Sequence, residues 1–230
     1  MPLKIKLSFL NMKSLSPFLL LLFLIVSCKS DKKETTKPLS TAEKIAQAHG
    51  FENWENIEHV EFSFRVDRDT IKGNARSWTW LTKKDSVVMQ AGDQIVKYSL
   101  ADKSNIPTNI DRAFINDKYW LLVPFQLIWD SSATISEAKV AEAPISKTQM
   151  DMITITYPSE GGYTPGDAYD IYFDKGYMIR EWTFRKGNSE DPTLSTTFEN
   201  YNDFNGIKIA EDHKQEDGSW NLVLDDIKVN

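Results

Sequence analysis

The sequence is poor in the residues that most often carry redox and metal chemistry. It has one cysteine and three histidines in 230 residues. A single cysteine excludes an internal disulfide and any cysteine-rich zinc site. A Ser-His-Asp hydrolase places its nucleophile on a strained turn such as Gly-x-Ser-x-Gly, and that motif is absent. Basic residues are also scarce. Residues 1–27 hold three lysines and no acid, so the remaining 203 residues carry a formal charge of −9. That balance argues against nucleic acid, which needs a basic footprint. It also argues against electrostatic docking on anionic lipid. The longest apolar run, Phe18 to Val26, has nine residues. A membrane-spanning helix needs about 20.

What is present begins with that run. Lys4, Lys6 and Lys13 precede it, and no acid occurs before Asp31. This is the pattern of a secretory signal. Translation starts at Met1 or at Met12. Ile25-Val26-Ser27-Cys28 follows at once and resembles the bacterial lipobox. The resemblance implies cleavage before Cys28, a diacylglyceryl thioether on its sulfur, and attachment to a bilayer by two or more acyl chains, which anchor durably. The reading divides the chain into a lipoprotein signal peptide (1–27), a lipidated cysteine with a polar tether (28–40) and one β-rich domain (41–230). About 200 residues are enough for one domain with a sizeable core.

Ser40 and Glu43 form a capping box, and Gly50 stands where a helix stops, so a short helix is expected over about 41–49. From Ile57 the apolar period becomes two. Val60, Phe62, Phe64 and Val66 share one face of a strand, as do Trp78 and Trp80, Val87 and Met89, and Val96, Tyr98 and Leu100. Further along, Ile153, Ile155 and Tyr157 alternate, followed by Tyr169, Ile171 and Phe173. Asp174-Lys175-Gly176, Asn205-Gly206 and Asp217-Gly218 mark hairpins. The last strand changes phase from Trp220, Leu222 and Leu224 to Ile227 and Val229, which predicts a bulge near Asp225-Asp226. Asn116 to Trp129 is dense and apolar. Asp117 is expected to cap a short helix limited by Pro124; a buried strand with a proline bulge is the alternative. The count is ten or eleven strands with one or two helices. This is a mainly β (α+β) fold: a large curved antiparallel meander, because twist accumulates in so wide a sheet.

Three stretches together resemble the LolA-like lipoprotein-carrier superfamily, and more closely a group of Bacteroidetes lipoproteins of that shape. One is the aromatic insert with Asp117, Tyr119, Trp120, Leu121, Pro124 and Phe125. The second holds Thr164, Pro165, Gly166 and Asp167, with Tyr172 and Asp174. The third holds Phe198, Asn205 and Gly206. The resemblance covers most of the chain after the leader. It implies a half-open β-barrel with helices on its concave face, sheltering acyl chains. A chain with its own anchor departs from a carrier that shuttles freely, so a fixed acceptor or a sensor is implied instead.

Chemical candidates are few. Glu211 and His213 share a strand face, but zinc needs a third protein ligand that the sequence does not offer. Glu160 to Asp167 is glycine-rich, yet no lysine or helix pattern follows to hold phosphate, and a turn between strands is expected. Asp67 and Asp69 are expected to be solvated at a turn. No cofactor, metal or enzymatic activity is expected. Trp78, Trp80, Tyr119, Trp120, Phe125, Trp129 and Trp182 either line an apolar cavity or fill the core. The expected protein is a cell-envelope lipoprotein, on the periplasmic side of an outer membrane, that binds a lipid, acyl chain or other apolar ligand. Alternatives are an envelope scaffold that binds another protein through a filled core's surface, and a glycan binder that uses exposed tryptophans.

Overall fold

The computed structural model describes residues 38–102, 104–161 and 164–230. The leader, Cys28 and the tether up to residue 37 lie outside them, as do Gly162 and Tyr163 of the glycine-rich turn. Helix α1 (Thr41–Ala48) starts as the capping box dictates. The Ser40 hydroxyl accepts from the Glu43 N–H at 3.2 Å, and the Ser40 N–H donates to the Glu43 carboxylate at 2.6 Å. Gly50 ends this segment at φ +89°, and a 3-10 turn over Phe51–Asn56 brings in Trp54.

Thirteen strands follow among the described residues: β1 (His59–Arg68), β2 (Arg76–Leu81), β3 (Ser86–Ala91), β4 (Gln94–Ser99), β5 (Thr134–Ile135), β6 (Lys139–Glu142), β7 (Gln149–Thr156), β8 (Ala168–Phe173), β9 (Ile179–Arg185), β10 (Leu194–Thr197), β11 (Glu199–Phe204), β12 (Ile207–Lys214) and β13 (Trp220–Val229). All pairings are antiparallel and fall into two sheets. One runs β11-β12-β13-β1-β2-β3-β4; the other runs β10-β9-β8-β7-β5, with β6 also on β7. The sheets meet at one residue. Phe198 separates β10 from β11, so a single extended stretch pairs first with β9 and then with β12. The meander therefore turns a corner at Phe198 and does not close into a barrel. Its open edges, β4 and β5, are joined in sequence by α2 (Thr108–Leu121) and α3 (Val123–Trp129). Residues of both sheets and of α1, α2 and α3 bury their apolar side chains in one common core.

The alternation expected for β1 is seen in its burial, with Val60, Phe62 and Phe64 inside. The expected bulge is present. Three residues of β1, Glu61 to Ser63, face four of β13, Lys228 to Asp225, and Asp226 takes a positive φ of 52°. Asn205 and Gly206 both adopt positive φ, as the tight hairpin between β11 and β12 requires.

Several local expectations differ. Helix α2 starts nine residues before Asp117, after Pro107, and Asp117 lies in its interior, fully buried. Asp117 is a docking point, not a cap. Its carboxylate accepts from Arg76 Nε and Nη2 at 2.5 and 2.6 Å and from Trp78 Nε1 at 2.7 Å, and so fixes α2 to β2. Pro124 sits in the first turn of α3, where its missing N–H is not needed. Asp217-Gly218 belongs to a longer loop, in which only Gly218 has positive φ and the Gln215 N–H bonds the Trp220 carbonyl. Asp67 is not simply solvated, since its carboxylate takes the Gly73 N–H at 2.9 Å and the Arg65 guanidinium at 3.0 Å.

The candidate functional site

The corner at Phe198 holds the two sheets apart, and α2 lies across the gap. A cavity of about 470 Å³ remains there. One wall is the paired strands β1 and β13, with Phe64, Val66, Trp220 and Leu222. The facing wall is Tyr169, Trp182, Phe184 and Leu194 from β8, β9 and β10. Helix α2 supplies Arg112, Ile115, Asn116, Tyr119 and Trp120, and Thr164 closes one corner. The helical residues recur at i, i+3, i+4, i+7 and i+8, which is one face of an α-helix. Along that face Arg112 and Asn116 are exposed, Ile115 is half-buried, and Tyr119 and Trp120 are buried. The cavity thus runs from a polar mouth to an aromatic floor.

The floor is a ring cluster. Trp120 meets Trp182 edge-on at 4.3 Å between centroids. Tyr119 leans on Tyr169 at 5.1 Å, and its hydroxyl lies 3.1 Å from that of Tyr157. Burial holds the Tyr119 and Tyr169 hydroxyls well above the usual phenol range, so both stay neutral. Behind Trp120 lies His213, fully buried, edge-on to Trp120 at 5.2 Å and to Phe198 at 4.6 Å. Burial pushes its pKa down to about 4, so the ring is neutral at physiological pH. Glu211, its proposed partner for a metal, is engaged instead by Asn202 at the surface. Among the described residues no group of three or more His, Cys, Asp or Glu stands close enough to hold a metal ion.

Of the seven aromatic candidates, Tyr119, Trp120 and Trp182 border the cavity. Trp78, Trp80, Phe125 and Trp129 do not. Trp78 and Trp80 lie under Phe114 of α2, at 5.2 and 5.7 Å, on the side of the helix facing away from the cavity. Phe125 and Trp129 of α3 pack on Phe51 and Trp54 of the 3-10 turn. These four fill the core, because each faces an element that needs covering. The residues that sequence reading missed are Arg112, Ile115 and Asn116 on the helix and Tyr169, Phe184, Leu194, Trp220 and Leu222 on the walls. The 3.6-residue period from Arg112 to Trp120 was the available signal. Of the seven tryptophans, Trp78, Trp80, Trp120 and Trp182 are buried and Trp54, Trp129 and Trp220 are half-buried.

The opposite face of α2 borders a second hollow of about 430 Å³, lined by Leu100, Ile106, Thr108, Asp111, Phe114, Ile115 and Lys118. There the Lys118 ammonium lies over the Trp80 and Phe114 rings, and burial lowers its pKa to about 8. The polar share of this lining, with one charge of each sign, suits an apolar ligand less well.

No family model matches the chain, and no curated protein sequence matches it. Among solved structures, the chain is similar to a LolA superfamily protein from Nitrosomonas europaea, at 10% identity and a TM-score of 0.47, over 84% of this chain and 94% of that one. It is also similar to the lipoprotein LppX from Mycobacterium tuberculosis, at 9% identity and a TM-score of 0.27, over 83% of this chain and 93% of that one.

Proposed function

We propose that the chain is a cell-envelope lipoprotein, tied to a bacterial membrane through Cys28, that binds a lipid or acyl chain between α2 and its curved sheet. The cavity carries the reading. Its volume lies in the range of small-molecule sites, roughly 300–1,000 Å³, and its lining has the usual make-up of such sites: aromatic and aliphatic walls with a few polar groups at one end. No helix among the described residues is long and apolar enough to cross a membrane. In this reading attachment falls to the lipid on Cys28, and the periplasmic side of the outer membrane is the expected location. In this reading the protein acts by binding.

The test is photolabelling of the full chain in phosphatidylcholine vesicles with palmitate that carries a diazirine in its chain. Mass spectrometry of the digest is expected to find label on the α2, β9 and β13 peptides that line the cavity. Leu194→Trp places an indole from the β10 wall into the space and is expected to lower that labelling at least about fivefold (about 1 kcal/mol). Labelling confined to outer surfaces, or unchanged by Leu194→Trp, removes the reading.

A further inference from the structure

Among the described residues, the cavity has one formally charged side chain in its lining, and it is a cation. Arg112 stands at the outer end of the α2 face, exposed, while Tyr119 and Trp120 at its other end are buried. The other arginines near carboxylates are already occupied. Arg65 is held by Asp67 and Asp225, Arg76 by Asp117, Arg180 by Asp174 and Arg185 by Asp170. Among the described residues no carboxylate pairs with Arg112 and no hydrogen bond holds its guanidinium. An unpaired guanidinium at the mouth of an apolar cavity is a fork of donors facing the place where an amphiphile's head must sit. One turn further along, Asn116 donates to Asp117 at 3.0 Å through its Nδ2, so that side chain presents its carbonyl oxygen as an acceptor. From Arg112 to Trp120 the helix rises about 12 Å. An acyl chain with its head on the guanidinium would lie along Ile115 and Tyr119 and end at the Trp120–Trp182 floor. The acidic balance of the chain makes a lone cation here more telling, since the surrounding charge would otherwise repel an anion.

We infer that the ligand is an amphiphile with an anionic head, a carboxylate in the simplest case, and that Arg112 selects the head while the aromatic floor takes the tail. This rests on the proposed cavity function and adds the ligand's charge class. A charge-assisted, forked contact at an exposed guanidinium is screened by water and is expected to favour the anionic head over a neutral one by up to about fivefold.

The experiment compares diazirine palmitate with the matching diazirine hexadecanol, on the full chain in phosphatidylcholine vesicles at a pH where the acid is ionised. Each probe is competed with its own unlabelled form, so that partition into the bilayer cancels. The acid is expected to label the cavity-lining peptides severalfold, up to about fivefold, more strongly than the alcohol. Arg112→Gln is expected to bring the ratio close to one. Arg112→Lys retains part of the preference, as a point charge without the fork would. Equal cavity labelling by acid and alcohol in the unaltered chain overturns the charge selection and leaves the apolar cavity standing. A preference unaffected by Arg112→Gln overturns the role of Arg112. Label from both probes only outside the cavity overturns the cavity function and this inference with it.

Discussion

Acidification from about pH 8 to about pH 5 is expected to destabilise the folded domain through two buried histidines. His49 and His213 are both buried and both have their pKa lowered to about 4, burial being the main cause. In the unfolded chain each returns to about 6.5. The folded state therefore binds fewer protons than the unfolded state between these values, and stability falls as pH falls. The contribution is fully present above about 6.5 and is lost progressively down to about 4. At about pH 5, a histidine with these two pKa values lowers stability by about 2 kcal/mol relative to about pH 8, so the pair removes about 4 kcal/mol. That is a large part of the 5–15 kcal/mol typical of folded proteins. The assay is urea unfolding followed by tryptophan fluorescence at intervals from about pH 8 to about pH 5, above the range where most carboxylates titrate. His213→Phe keeps an aromatic ring between Trp120 and Phe198 and removes one of the two protonation sites. It is expected to halve the slope of stability against pH in this window, whatever its effect at about pH 8. A slope unchanged in His213→Phe would refute the assignment of the acid loss to this ring.

Three further outcomes follow from the packing. Asp117→Ala strips Arg76 and Trp78 of their shared acceptor and frees α2 from β2; unfolding stability is expected to fall by about 3 kcal/mol, with Arg76, about a third exposed, partly rescued by water. Gly50→Ala puts a methyl group 1.8 Å from the Gly206 carbonyl oxygen at a φ of +89°, and is expected to destabilise by well over 1 kcal/mol, read as a lower urea midpoint. Gln126 is fully buried, and neither atom of its side-chain amide has a hydrogen-bond partner among the described residues. Gln126→Leu is therefore expected to raise the midpoint, by about 1 kcal/mol, because it removes unsatisfied polar atoms at nearly constant volume.

The strands were legible because alternation is a local signal. Val60, Phe62 and Phe64, and Tyr169, Ile171 and Phe173, announce a buried face whatever they pack against. The bulge in β13 was legible for the same reason, since a phase change in the pattern has one geometric cause. Helix α2 was half hidden. Asp117 looked like a cap because its neighbours downstream are apolar, whereas its true partners, Arg76 and Trp78, lie about 40 positions away in sequence. The corner at Phe198 was not legible at all. Nothing local separates a strand that keeps one partner from a strand that exchanges it midway. The site shows the same division. Aromatic identity brought out Tyr119, Trp120 and Trp182. Which aromatics border space and which fill it depends on the side of α2 they meet, and that is a matter of helix rotation set by the Asp117 anchor.

The alignment of Arg112, Ile115, Asn116, Tyr119 and Trp120 on one helical stripe has a consequence for descent. Under the proposed function, five positions within nine residues set the helical side of what the cavity admits, while the strands keep its walls. Relatives could therefore diverge in cargo, with each retaining the same framework, by exchanging residues along that single stripe.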